Sequence, residues 1–189
     1  MNQVIDHLKE AQWLNRIQVG DDSAFTEVYQ DYAPRIWRHV YYRTNNRETA
    51  DDIMGETFLR TWEYVRVRAS EIEHLRAFIY RVANNLVVDH YRSRARAAIQ
   101  MDEEMERTLG YDAEIDLHVE ERLQADNMRR ALLQLQAEPR ELLVMRFVDD
   151  LTIEEIAEAL GKNRNAIYVS IHRAVKKLKE VCSNHAYVN

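Results

Sequence analysis

A chain with one cysteine, Cys182, cannot form an intrachain disulfide or a cysteine-based zinc cluster. Two prolines and four glycines in 189 residues are too few for a turn-rich sheet protein and favour long helices. The sequence has no run of about eighteen apolar residues, so no membrane-spanning helix is expected. Its first twenty residues, MNQVIDHLKEAQWLNRIQVG, are amphipathic and charged, unlike a secretory signal. A soluble, cytoplasmic protein is the expectation. Catalytic patterns are missing too. The seven histidines are scattered with no HExxH spacing, no glycine loop is built to cradle phosphates, and no nucleophile has an evident base beside it. Asp89 and His90 are helix neighbours and so point to different faces. Neither enzymatic activity nor a metal or cofactor is expected.

The net charge of −6 argues at first against a nucleic-acid partner, but the charge is unevenly distributed. Residues 97–126 hold ten acids and two bases, whereas residues 21–96 hold twelve of each and residues 127–189 hold ten bases and eight acids. From Asn163 to Lys179 there are five basic residues and no acid, a local field hidden by the global sum.

Apolar spacing predicts an all-α protein of two small helical domains joined by an acidic linker. The boundaries are 1–96, 97–116 and 117–189. In the first domain one helix covers Gln3 to Gln18, with Val4, Ile5, Leu8, Leu14 and Ile17 on one face. Gly20 ends it and Asp22 caps the next, which carries Phe25, Val28 and Tyr29. Pro34 opens a further helix through Ile36, Trp37 and Val40. Asn45-Asn46 is a turn, and Thr49 to Val67 a long helix with Ile53, Phe58, Leu59 and Trp62 at helical spacing. Ser70 and Glu73 have capping-box spacing and open a helix running to Arg96. Residues 97–116, acid-rich and sparse in apolar side chains, read as a linker, in part helical. The second domain begins near Leu117. Its first helix carries Val119, Leu123, Met128, Leu132, Leu133 and Leu135. Pro139 starts another, with Leu142, Leu143, Met145 and Phe147 behind it.

LTIEEIAEALGKNRNAIYVSIHRAVKKL, from Leu151 to Leu178, has the layout of a helix-turn-helix. Thr152 and Glu155 form a capping box, Ile153, Ile156, Ala157 and Leu160 a buried stripe, and Gly161 the tight turn. Asn163 caps the second helix, which buries Ile167, Ile171, Ala174, Val175 and Leu178. Its opposite face is polar and ends in basic residues. Such a helix enters the DNA major groove with its N-terminal residues towards base edges and its basic end on phosphates.

Upstream, ETADDIMGETFLRTW (Glu48–Trp62) sets the acids Asp51, Asp52 and Glu56 beside a Phe58/Leu59/Trp62 edge. HLRAFIYRVANNLVVDHYRSRAR (His74–Arg96) interleaves aromatics with Arg and Asn. With these three segments in this order, the chain resembles the bacterial sigma-70 family factors of the extracytoplasmic-function type. The two domains of that family match about 21–96 and 123–180.

The resemblance implies a non-enzymatic specificity subunit. It would bind core RNA polymerase, recognise the −35 and −10 promoter elements, and melt the −10 region without ATP to start transcription of a stress or envelope regulon. By motif position, Asp52, Gly55, Glu56 and Leu59 would face the polymerase clamp. Gly55 stands where the family usually has Gln. Arg66 and Arg68 would rim a pocket for a flipped base, while Asn84, Asn85 and Asp89 reach base edges and Arg81, Arg92 and Arg96 hold the single-strand backbone. Phe78 stands where Trp is common and is expected in the core. On the second helix of the helix-turn-helix, Arg164, Asn165, Tyr168, Val169, Ser170 and Arg173 are the −35 candidates, followed by Lys176 and Lys177 on phosphates. Tyr168-Val169-Ser170 replaces a frequent Lys-Ser-Arg and leaves the preferred sequence open. The family also implies an anti-sigma factor, often anchored at the inner membrane. Asp102, Glu103, Glu104 and Glu106 of the linker would either keep a connector extended or mimic nucleic acid inside the polymerase. Two rival binding functions stay open: an autonomous repressor or activator using the same helix-turn-helix, and a sigma mimic that sequesters an anti-sigma factor.

Overall fold

The computed structural model describes the backbone of residues 2–100 and 119–186, and the side chains of residues 7–96 and 126–183. The described residues form eight α-helices and no strand. They are α1 (Asn2–Gln18), α2 (Ser23–Thr44), α3 (Arg47–Arg68), α4 (Leu75–Gln100), α5 (Val119–Leu133), α6 (Ala137–Leu143), α7 (Ile153–Leu160) and α8 (Arg164–Ala186). None of the described helices is long and apolar enough to cross a membrane. The acidic run Asp102–Glu106 lies outside the described residues, while α4 continues through Gln100, four residues into the stretch read as linker.

Helices α1–α4 pack around Trp13, Val28, Ile36, Val40, Ile53, Phe58, Ile79 and Val87. Trp13 is buried and donates its indole N–H to Glu27, 2.9 Å away, which staples α1 to α2. Leu8, expected on the buried face of α1, is 63 % exposed. Glu10, two residues on, faces inward as a buried carboxylate that accepts from the Tyr32 hydroxyl at 2.7 Å and the Arg76 amide at 3.1 Å. The Val4 and Ile5 side chains lie outside the described set.

Several expected boundaries are corrected. Pro34 does not open a helix but sits inside the continuous α2. A proline costs an interior helix one hydrogen bond, and here the flanking turns are anchored by buried Ala33 and Ile36. Asp22 occupies the cap position of α2 without a side-chain cap bond. Asp21 does that work, accepting from the Ser23 amide at 3.1 Å and its hydroxyl at 2.5 Å. The Ser70/Glu73 capping box does not form either. Residues Ala69–Glu71 make a 3-10 turn and α4 begins only at Leu75. By contrast, the Asn45-Asn46 turn forms as expected: Asn45 is left-handed at φ 53° and Asn46 accepts from the Thr49 amide at 2.7 Å.

In the C-terminal half, Leu132, Leu135, Leu143, Val144 and Ala174 form a second, smaller cluster. Met128 and Phe147, expected as core, are 47 % and 65 % exposed. Phe147 is turned outwards because α6 passes into a π-helical turn over Val144–Val148, closed by the Asp149 amide on the Val144 carbonyl at 3.0 Å.

The two halves share one core. Leu142, Met145, Leu151, Ile156, Ala157, Ala159 and Ile167 merge into the cluster built by α1–α4, with α7 lying against α4. Along this seam His39 Nδ1 is 2.6 Å from Asp149, with both side chains fully buried. Arg43 reaches Glu141 at 2.9 Å and Asn84 at 2.6 Å. Arg76 donates to the Asp149 carbonyl at 2.6 Å and reaches Glu155 at 3.4 Å. Arg43 Nη1 also lies 3.2 Å from His39 Nε2. A guanidinium has no acceptor, so Nε2 accepts and Nδ1 carries the proton towards Asp149.

Candidate polymerase and DNA interfaces

Helix α3 starts at the Asn46 cap and buries Ala50, Ile53, Thr57, Phe58, Thr61 and Val65. That stripe turns Asp52, Gly55, Glu56 and Leu59 to the other side, at the i, i+3, i+4, i+7 spacing of a single helix face. Asp52 and Gly55 are exposed, Glu56 is half-exposed and ion-paired to Arg60 at 2.6 Å, and Leu59 is 52 % exposed. Nothing lies within 4 Å of where a Cβ on Gly55 would sit, so packing does not require glycine there. Beside this face opens a shallow groove of about 360 Å³ lined by Asp22, Phe25, Thr26, Phe58, Leu59 and Trp62. Within its aromatic wall the Phe25 and Trp62 ring centroids are 4.9 Å apart. Phe25 and Thr26 come from α2, and no spacing within α3 could have revealed that they join Leu59. An acidic face adjoining an apolar groove suits a partner helix that carries basic residues beside an apolar anchor.

Helix α4 carries a second array. Arg81, Asn85, Asp89, Arg92 and Arg96 are all exposed, and their spacing of four, four, three and four places them on one stripe. Arg81 stacks over Phe78, 5.2 Å from the ring centroid, and Asp89 is 3.8 Å from Arg92. Phe78 is 8 % exposed and therefore core. Arg66 and Arg68 end α3 in solvent, with Arg68 over the Tyr64 ring at 5.7 Å. Asn84 does not join this stripe. It is 7 % exposed and held by Arg43 in the seam between the two halves. Tyr91 donates its hydroxyl to the Arg43 carbonyl at 2.7 Å, while Tyr80 is fully buried against His39.

The helix-turn-helix takes the form that its residues predict. Both halves of the capping box are present: Thr152 accepts from the Glu155 amide at 3.1 Å and Glu155 from the Thr152 amide at 2.7 Å. Gly161 is left-handed at φ 61°, and Asn163 accepts from the Asn165 amide at 2.8 Å. Ile167 and Ala174 are buried, with Ile171, Val175 and Leu178 partly so. Opposite them Arg164, Asn165, Tyr168, Val169, Arg173, Lys176 and Lys177 are exposed and Ser170 is half-exposed. Tyr168 and Val169, 64 % and 45 % exposed, form an apolar patch at the front of a basic helix. Arg164 is ion-paired with Glu154 at 2.7 Å and Lys162 with Glu138 at 2.8 Å, so the turn's own bases are partly neutralised.

A helix-turn-helix, an acidic helix face and a basic-amide stripe on one chain match two family descriptions in the same order. Residues 28–97 match sigma-70 region 2 and residues 125–178 match sigma-70 region 4. The ECF RNA polymerase sigma factor SigD of Mycobacterium bovis is 30 % identical over 165 residues, 85 % of this chain and 78 % of that one. The chain belongs to the ECF family of RNA polymerase sigma factors. It is also 28 % identical over 186 residues to the ECF sigma factor BldN of Streptomyces coelicolor, covering 96 % of this chain and 69 % of that one. The fold is shared with the sigma factor RpoE in its complex with the anti-sigma factor NepR from Bartonella quintana. There the TM-score is 0.68 at 19 % identity, over 84 % of this chain and 96 % of that one. As a member of this family the chain is a DNA-binding transcription initiation factor.

Proposed function

We propose that this sigma factor binds core RNA polymerase through α3 and carries it to promoters that it reads with two separate surfaces. The Asp52/Gly55/Glu56/Leu59 face and the adjoining groove dock on the polymerase, carboxylates pairing with arginines and the aromatic wall receiving an apolar anchor. The α4 stripe Arg81–Asn85–Asp89–Arg92–Arg96, with Arg66 and Arg68 at its approach, captures the unpaired −10 strand. Guanidinium groups hold its phosphates while Asn85 and Asp89 meet base edges. The exposed face of α8 reads the −35 duplex in the major groove, Asn165, Tyr168 and Val169 towards the bases and Arg173, Lys176 and Lys177 on the backbone. Melting then draws on binding energy alone, because the separated strand is what α4 binds. In this reading the regions 1–96 and 117–189 act as two domains joined by the acidic linker. An anti-sigma factor, such as NepR is to RpoE, is the expected negative regulator.

The observation that carries this reading is the exposed, single-faced α4 stripe in the same chain as the capped helix-turn-helix. A run-off transcription assay with core polymerase and genomic fragments tests it. Promoter-specific transcripts that require this protein are expected, with little specific duplex binding by the protein alone. Tight specific binding of duplex DNA without polymerase would instead make it an autonomous regulator.

A further inference from the structure

Two acids close on the turn of the helix-turn-helix. Glu138, in the first turn of α6, meets Lys162 at 2.8 Å, and Lys162, helped by Lys177, holds its carboxyl below the usual range. Glu154, in the first turn of α7, meets Arg164, the first residue of α8, with Oε1 and Nη2 2.7 Å apart. Both ends of this second pair stand on fixed backbone. The Thr152/Glu155 capping box sets the start of α7, and the Asn163 side chain sets the start of α8 by accepting from the Asn165 amide.

Stability does not account for the Glu154–Arg164 pair. Its side chains are 54 % and 69 % exposed, and ion pairs open to solvent contribute little to a fold. Arg164 also places a cation at the positive end of the α8 dipole, where a carboxylate would be favoured. Yet this is the end of α8 that meets base edges in the docking proposed above. A residue set against its local preference at a binding surface points to a role in binding.

That role follows from the donors of the guanidinium. Arginine presents several N–H groups in a planar fork. Glu154 meets the fork at Nη2, and the exposure of the side chain leaves the rest open to a second acceptor. A phosphate is a poor second acceptor beside a carboxylate, because the two anions repel. A base edge is uncharged and can accept alongside it. In the major groove, guanine O6 and N7 take two arginine donors at once. Holding the side chain beforehand also reduces the ordering that binding would otherwise require. We propose that Glu154 is a positioning residue for −35 recognition: it turns Arg164 away from phosphates and towards a guanine of the −35 element. Glu154 acts through Arg164 and touches no base. This role rests on the major-groove docking of α8 and adds to it a named base and the residue that aims the contact.

The test uses the full chain assembled with core RNA polymerase, on promoter duplexes in which each −35 base pair is varied in turn. Affinity and transcript yield are read for the parent and for E154Q, E154D, R164A, E154Q/R164A and E138Q. The parent should favour guanine at one −35 position by about tenfold or more. R164A should abolish that preference, and E154Q should reduce it severalfold at that position alone. E154D, which keeps the charge on a shorter arm, should retain part of it. The double variant should select no worse than R164A, since Glu154 acts through Arg164. E138Q removes a charge of the same kind beside the same turn and should leave every base preference in place. Unchanged selectivity in E154Q, even with tighter binding of every sequence, would overturn the positioning role. So would a loss spread equally over all −35 positions, a selectivity intact in R164A, or a double variant that selects worse than R164A. Absence of any promoter-specific transcript from the parent chain, by contrast, would sink the promoter reading, and the positioning role with it.

Discussion

Arg43 Nη2 and Glu141 Oε1 lie 2.9 Å apart with side chains only 7 % and 11 % exposed, although 98 positions separate them in the chain. Burial pushes the Arg43 guanidinium below the usual arginine range, and Glu141 opposes that shift. Removing Glu141 would therefore strand a buried cation. Glu141→Ala is expected to destabilise the protein by about 3–5 kcal/mol. The double replacement Arg43→Met with Glu141→Leu removes both charges and should recover most of that loss. Urea unfolding followed by helical circular dichroism reads both. Equal stability of Glu141→Ala and the parent chain would show that the pair is not closed in solution.

Gly55 makes a prediction of the opposite sign. It is exposed in mid-helix with open space around its Cβ position. Gly55→Ala should stabilise the chain by about 1 kcal/mol. Gly55→Gln should gain somewhat less in stability and, by adding a side chain to the α3 face, bind core polymerase more tightly. Competition for limiting core polymerase measures the second effect, and a weaker Gln variant would remove Gly55 from the docking face.

The elements legible in the sequence are those fixed by neighbours a few residues apart. Thr152 and Glu155 find each other across one turn, Gly161 answers a local need for positive φ, and the spacing of Ile156, Ile167 and Ala174 places the helix-turn-helix core. The same holds for the α4 stripe, whose exposed members recur on one face. What is not legible is long-range. Glu10, His39, Arg43, Arg76 and Asp149 look like solvated charges in one dimension, yet each is buried because its partner arrives from another helix. Asn84 looks equivalent to Asn85, but one step of about 100° around α4 turns it from solvent into the seam. Pro34 and Ser70 mislead for the converse reason: packing overrides their local signals. Leu8 and Phe147 point inwards on hydrophobicity alone and lie outside.

The capping box gives a local test of the helix-turn-helix. Thr152→Ala removes one acceptor and leaves the Glu155 amide unmatched at the start of α7. The expected cost is about 1 kcal/mol. Thr152→Ser keeps the oxygen and should cost much less. Thermal unfolding of the two variants side by side measures the difference, and identical midpoints would mean that the cap contributes nothing.

Acid should weaken the junction of α1 and α2. The Glu27 carboxyl is held below its ordinary range by the Trp13 indole and by Arg16, and Asp21 by Ser23 and Arg16. Depressed folded-state values mean that these carboxylates contribute stability above their unfolded pKa values, near about 4. That contribution is lost as pH falls through the lower, folded values. The urea midpoint should therefore drop between about pH 5 and pH 3. Arg16→Gln removes the cation common to both and should flatten that acid limb. An unchanged slope in the variant would show that Arg16 does not set it.

The front and rear of α8 should behave differently on DNA, because one end offers apolar surface and the other point charges. Tyr168 and Val169 present an exposed apolar patch where a helix entering the major groove meets base edges, and Val169 is of a size to contact a thymine methyl. Val169→Ser should alter preference at a single −35 position by about 1–3 kcal/mol and leave other positions unchanged. Lys176 and Lys177 are exposed at the rear, and in the proposed docking they meet the phosphate backbone. Alanine at either should weaken all promoters alike and lower the slope of log affinity against log salt by about 0.9 for each phosphate no longer neutralised. Anisotropy titrations of the polymerase–sigma complex on promoter duplexes, at several salt concentrations and with each −35 base varied, separate the two outcomes. A lysine variant that changes base preference, or a Val169 variant that changes only the salt slope, would reverse the assignment of α8's two ends.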